Sequence, residues 1–366
     1  MDKLNYDNLY HQNSNYGCRH HDIDNMGFRS ILLENELLRV LIMYEKGTDI
    51  VEFVYKPKDI DFMWRSPAEV SANKKNSITK EHPAGAFLDE YEGGWQELLP
   101  NINNPTNYKG ASLGFHGEAY LRVWDHQVLI DTVKEVKIRF SVRLNRAPFF
   151  VTKTVTIKSY EPALEFEESI LNEGEEEFKF TWGQHPAIGI PFLSDKCVID
   201  LPQGTIGRTY DKDFSGNSIF PLDEEFSWPF VKDKNGKEID LSRVMSPESK
   251  TAFCVSLENL NKGWYGITNT DIGVGFGMKW DIKIFKYLWM WAVYRGFYNF
   301  PFYGRTYNIA LEPWSAIPDN LDDVIKAGRE LTLQPKEILE TKFAALVYES
   351  DSGIKGFDEY NHAIIK

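Results

Sequence analysis

The chain has 366 residues, of which 42% are hydrophobic, 14% aromatic and 26% charged, so there is material for a large core and no signature of disorder. Its 41 Lys and Arg against 54 Asp and Glu leave a formal charge of -13, unfavourable for nucleic acid or an anionic membrane surface, both of which need clustered cations. A neutral small molecule is the easier partner.

At the start, MDKLNYDNLYHQNSNYG lacks the basic segment and apolar core of a signal peptide, and the longest apolar run, YLWMWAVY, is too short to span a bilayer. A soluble, cytoplasmic protein is expected, with no membrane partner, as a monomer or homodimer. The chain up to Phe28 reads as an N-terminal extension or edge segment of one domain covering 1–366. Within it HHDID, His20 to Asp24, holds metal-ligand residue types. Adjacent histidines point to opposite sides of an extended chain and no second cluster follows, so it reads as a solvated loop, and no metal or cofactor is expected. Cys18, Cys197 and Cys254, odd in number and widely spaced, fit reduced thiols.

Period-2 alternation then dominates. In VKIRFSVRL the residues Val136, Ile138, Phe140, Val142 and Leu144 face one way, while Lys137, Arg139, Ser141 and Arg143 face the other, predicting a half-solvated antiparallel strand. LLRVLIM, VTKTVTIKS, ALEFEESILN, TAFCVSL, IGVGFGMKW, YLWMWAVY and KFAALVYES read alike, each bounded by turn formers. SANKKNS and KDKNGKE read as surface hairpin loops. Only PDNLDDVIKAG carries a helix signature, with Asp and Asn at its start and Gly328 near its end. Strands throughout without βα alternation predict an all-β fold, one large antiparallel sandwich.

Four stretches combine ionisable residues with aromatics and turn formers, the mixture expected where strand ends open onto a pocket. They are YEGGWQELLPN with Trp95, Gln96 and Glu97, LGFHGEAYLRVW with His116, FTWGQHPAIGIPF with His185, and NIALEPWSAIPDNL with Glu312. Each of the three last residues is placed at a strand-to-loop transition. A carboxylate entering a sheet interior at Glu312 is costly unless it has partners or a task. For His116 a turn-capping role stands level with a binding role, and a buried His185 alone reads as core. Trp182 and Trp291 read as core, whereas Trp95 and Trp314, beside Gly and Pro in loops, read as binding residues able to stack on the apolar face of a ligand.

In their order along the chain, His116-Gly117, His185-Pro186 and Leu311-Glu312 followed by Pro318-Asp319 resemble the motifs of the aldose 1-epimerases, or galactose mutarotase-like proteins. The closing AGRELTLQPKEILETKFAALVYE is similar to that family's last turn and strand. The resemblance implies a large antiparallel β-supersandwich and a cofactor-free acid/base opening of a free aldose, with Glu312 as base, His185 as acid and His116 binding the sugar. Where galactose-specific members carry an Asn-Arg pair, this chain has GGWQELLPN, so Trp95, Gln96 or Glu97 has to replace the arginine contact. The family's mid-chain aspartate is not placed among Asp200, Asp211 and Asp223. A hexose-6-phosphate mutarotase needs cations at the pocket mouth, for which Arg122, Arg295 and Arg305 are candidates. A carbohydrate-binding or sensing protein with an idle pair is the rival from another class, and a lyase or hydrolase needs a second carboxylate or a tyrosine base.

Overall fold

The structure, a computed structural model, describes residues 16–68 and 85–366; the first 15 residues and SANKKNS lie outside these. Half of the chain is strand. Two antiparallel sheets carry it, one of 12 strands and one of 8. The larger runs from the edge strand Arg19–Asn25 through Phe28–Glu34, Leu38–Met43, Asp49–Tyr55, Trp95–Leu98, Gly183–Gly189, Tyr307–Trp314, Tyr287–Tyr294 and Thr251–Glu258 to Ile206–Thr209 and Glu225–Ser227. The smaller is centred on Ile338–Tyr348 and Ala163–Asn172.

Alternation decides which residues lie between the sheets. In Glu135–Arg143 the apolar set Val136, Ile138, Phe140 and Val142 is buried while Arg139 and Arg143 are exposed. Aromatic contacts join the layers, as where Trp95 of the larger sheet meets Phe166 and Phe343 of the smaller at ring-centroid distances of 5.1 and 6.0 Å. The expected helix is present at Leu321–Lys326, capped by Asn320, whose side chain accepts from Asp323 N. A second short helix, Gly85–Asp89, carried no sequence signal.

HHDID is not a loop. It lies in the edge strand, where register with Phe28–Glu34 overrides its polarity. Among the described residues no cluster of His, Cys, Asp and Glu could hold a metal ion, the three cysteines are unpaired, and no helix is long and apolar enough to cross a membrane.

Candidate active site

His185 sits inside a central strand rather than at a strand end, and so does Glu312. The strands Gly183–Gly189 and Tyr307–Trp314 pair with Gly183 facing Trp314 and Ala187 facing Ala310, a register that sets His185 opposite Glu312. Between those two points the ladder is interrupted, because Pro186 and Pro313 have no N–H to donate. The next strand places Trp289 opposite Glu312, and the one beyond it places Cys254 opposite Trp291. Period 2 thus projects His185, Glu312, Trp289, Trp291 and Trp314 from one face of the larger sheet, the face away from the smaller sheet.

Over that face the segments around residues 87–91, 103–105, 115–116, 210–214 and 297–302 close a cavity of about 410 Å³, within the range of small-molecule sites. Aromatic rings make most of its wall: Phe87, Tyr91, Phe115, Tyr210, Phe214, Phe297 and Phe302 above, and the three tryptophans on the floor. His185 Nε2 is 3.5 Å from Glu312 Oε1, and both residues are buried. Among the described residues Glu312 Oε2 has no hydrogen-bond partner, nor have the indole N–H groups of Trp289 and Trp314. A buried acceptor and two buried donors left open around one cavity are what a polar ligand would satisfy.

His116 reaches the same cavity from a turn. Its own φ of 61° and that of Gly117, 77°, bend the chain, and a Cβ on Gly117 would lie 2.2 Å from Leu99 O. The His116 Nδ1 donates to the Ile102 carbonyl, so in the neutral ring Nε2 is the free acceptor. The rings of His116 and His185 are 5.2 Å apart.

Burial sets the protonation of this group. It holds the Glu312 carboxyl well above the ordinary glutamate range; the Trp314 indole, close but without hydrogen-bond geometry, pulls weakly the other way. It also lowers the His185 imidazole to about 4, and His116 well below its ordinary value with help from His185. Both shifts favour the neutral form of the pair, with its one proton on Glu312.

Trp95, Gln96 and Glu97 do not line the cavity. Trp95 and Glu97 point between the sheets, where Trp95 Nε1 donates to Gln184 (2.7 Å) and Glu97 pairs with Lys153 (2.7 Å), which also faces Glu168 at 3.5 Å. Gln96 shares the face of His185 but turns back to donate to Gly93 O at 2.6 Å. Trp182, as expected, is core, donating to Glu97. Trp291, expected in the core, lines the cavity, so the roles of Trp95 and Trp291 are exchanged. Asp319 binds loops rather than ligand, accepting from Tyr210 and from Asn104 Nδ2 at 2.6 Å. Asp200, Asp211, Asp223, Arg122, Arg295 and Arg305 are not among the cavity residues, and among the described residues no lysine or arginine lines it.

Tyr91 was missed. Buried at 2% exposure, it places its hydroxyl 3.3 Å from His185 Nδ1. The only local sign was its place just before the Gly93-Gly94 turn.

No family model matches the chain, and no curated protein matches its sequence. Solved structures do. A protein provisionally named an aldose 1-epimerase, from Klebsiella pneumoniae, is 12% identical with a TM-score of 0.72, over 91% of this chain and 84% of that one. A galactose mutarotase-like protein from Clostridium acetobutylicum is 16% identical with a TM-score of 0.59, over 92% and 100%. A galactose mutarotase related enzyme from Lactobacillus acidophilus is 17% identical with a TM-score of 0.58, also over 92% and 100%. At these identities the likeness is one of architecture, and by that likeness the chain has the galactose mutarotase-like fold.

Proposed function

We propose that the protein is a cofactor-free mutarotase interconverting the anomers of an unphosphorylated aldose. The observation that carries this reading is the His185–Glu312 pair, 3.5 Å apart on the cavity floor, with one carboxylate oxygen left without a partner. Ionised Glu312 takes the proton of the anomeric hydroxyl as the bond from C1 to the ring oxygen breaks, and His185 Nε2 gives its proton to that oxygen. Rotation about C1–C2 of the open aldehyde and closure with the proton transfers reversed yield the other anomer. His116 Nε2, free to accept, binds a sugar hydroxyl, and the tryptophans pack on the apolar sugar faces.

The neutral and ionic forms of the pair hold the same single proton. The reactive form, with Glu312 ionised and His185 protonated, therefore needs only transfer within the pair, helped by sugar hydroxyls that hydrogen-bond to both. Among the described residues that line the cavity a phosphate would meet no cation, which favours an unphosphorylated sugar. A retaining or inverting hydrolase is disfavoured because Glu312 is the only carboxylate among the described residues that line the cavity.

The test is polarimetry or NMR of freshly dissolved α-anomers of several aldoses with and without the protein. Faster equilibration of one sugar supports the reading. Calorimetric binding without acceleration of any sugar would replace it with the sensing function.

A further inference from the structure

We propose that Tyr91 is the positioning residue of His185, its hydroxyl accepting from Nδ1–H in both protonation states and so keeping Nε2 aimed at the reacting oxygen. The inference rests on the mutarotase reading and starts from geometry. Tyr91 Oη is 3.3 Å from His185 Nδ1, on the opposite side of the ring from Glu312, and the two rings stand at 89°.

The position of Tyr91 is fixed from two sides. Its ring packs against Phe87 and Trp64 at centroid distances of 4.5 and 5.3 Å. Behind it, buried Lys46 bridges Asp49 (2.8 Å) and Glu92, the residue that follows Tyr91. Gln96, opposite His185 in the ladder, holds the Gly93 carbonyl at 2.6 Å. The buried charges and Gln96 thus act on the site through the backbone that carries Tyr91, which accounts for polar residues here that never reach the cavity.

A hydroxyl is suited to this place because it offers one donor and two acceptor lone pairs. Toward neutral His185 it accepts from Nδ1–H, leaving Nε2 unprotonated and free to take the proton of Glu312. Toward the imidazolium it keeps the same bond, accepting from Nδ1–H. The acid can therefore give up and regain its Nε2 proton without leaving Nδ1 unpaired in a dry cavity. The other titratable groups facing His185 are Glu312 from the neighbouring strand Tyr307–Trp314 and His116 from its turn, with Cys254 facing Glu312 from the strand Thr251–Glu258. None of these contacts is to Nδ1.

The experiment joins histidine ¹⁵N NMR with the pH dependence of anomerisation in wild type and Tyr91→Phe. Expected are an Nδ1–H tautomer for His185 in the wild type, lost or mixed in Tyr91→Phe, and a kcat lower by about 10–100-fold, the range for a hydrogen-bond partner that orients a functional imidazole. KM should be little changed, and the limb of the pH profile governed by His185 should move to lower pH, because the imidazolium has lost its acceptor. An Nε2–H tautomer in the wild type, or a variant with wild-type spectrum and pH profile, overturns the assignment. Should Tyr91→Phe fail to fold, the wild-type spectrum decides. Should the wild type catalyse no anomerisation, the mutarotase reading fails while the spectra still decide whether Tyr91 sets the tautomer.

Discussion

Glu312 and His185 are each costly where they stand, since burial opposes the charged form of both. If acid/base work is what retains them, Glu312→Gln, which keeps shape and a hydrogen-bonding oxygen, lowers kcat by about two to four orders of magnitude and leaves sugar affinity nearly intact. Trp314→Ala acts mainly on affinity. Stability gives a check independent of substrate. The His185 imidazole is lowered to about 4 when folded against about 6.5 when unfolded, so the unfolded chain binds more protons between these values, and His185 costs stability as pH falls through that window. Relative to His185→Asn, the wild type should lose about 3 kcal/mol between pH 6.5 and 4 in denaturant titrations. A constant difference across this range would mean that the imidazole is not held neutral. At this scale the sequence was informative where chemistry is conspicuous, as at the two histidines and Glu312. Tyr91 was illegible, because its importance comes from a neighbour 94 positions away.

The pairing of two strands brings the acid and the base together. Gly183–Gly189 and Tyr307–Trp314 were not recognised as central strands, because Pro186 and Pro313 look like strand ends; in the structure they merely leave a gap in the ladder beside the two functional side chains. In the Trp95–Leu98 strand the alternation was legible, but which face belonged to the cavity was not. That depends on which sheet lies behind, and Trp95 and Glu97 turned out to face the smaller sheet. Close packing in the strand pair also has a testable consequence. A Cβ at Gly183 would lie 2.6 Å from Trp314 Cδ1, so Gly183→Ala pushes the indole from its place on the cavity floor. We expect a cost of about 1–3 kcal/mol in stability and weaker sugar binding, read by urea titration and calorimetry. Unchanged affinity would show that Trp314 does not contact the ligand.

Across the whole molecule, the long runs of alternating residues made the two-sheet architecture readable, because a large sandwich needs one apolar face on nearly every strand. Less readable was the polar network inside it, where Lys153 lies between Glu97 and Glu168 and Gln184 links Glu97 (2.9 Å) to Glu168 (3.2 Å). Polar residues in a strand give no sign of whether they face solvent, ligand or one another. Removing one partner of such a buried set is strongly destabilising, so Glu97→Ala should cost about 3–5 kcal/mol by denaturation while the folded variant keeps its KM. A raised KM with unchanged stability would return Glu97 to the sugar site. The most direct measurement is anomerisation of a panel of unphosphorylated and 6-phosphorylated aldoses by wild type and Glu312→Gln, followed by polarimetry. The His185–Glu312 mechanism predicts acceleration of at least one unphosphorylated sugar by the wild type and loss of that acceleration in Glu312→Gln with binding retained; full activity in the variant, or activity confined to phosphorylated sugars, would contradict it.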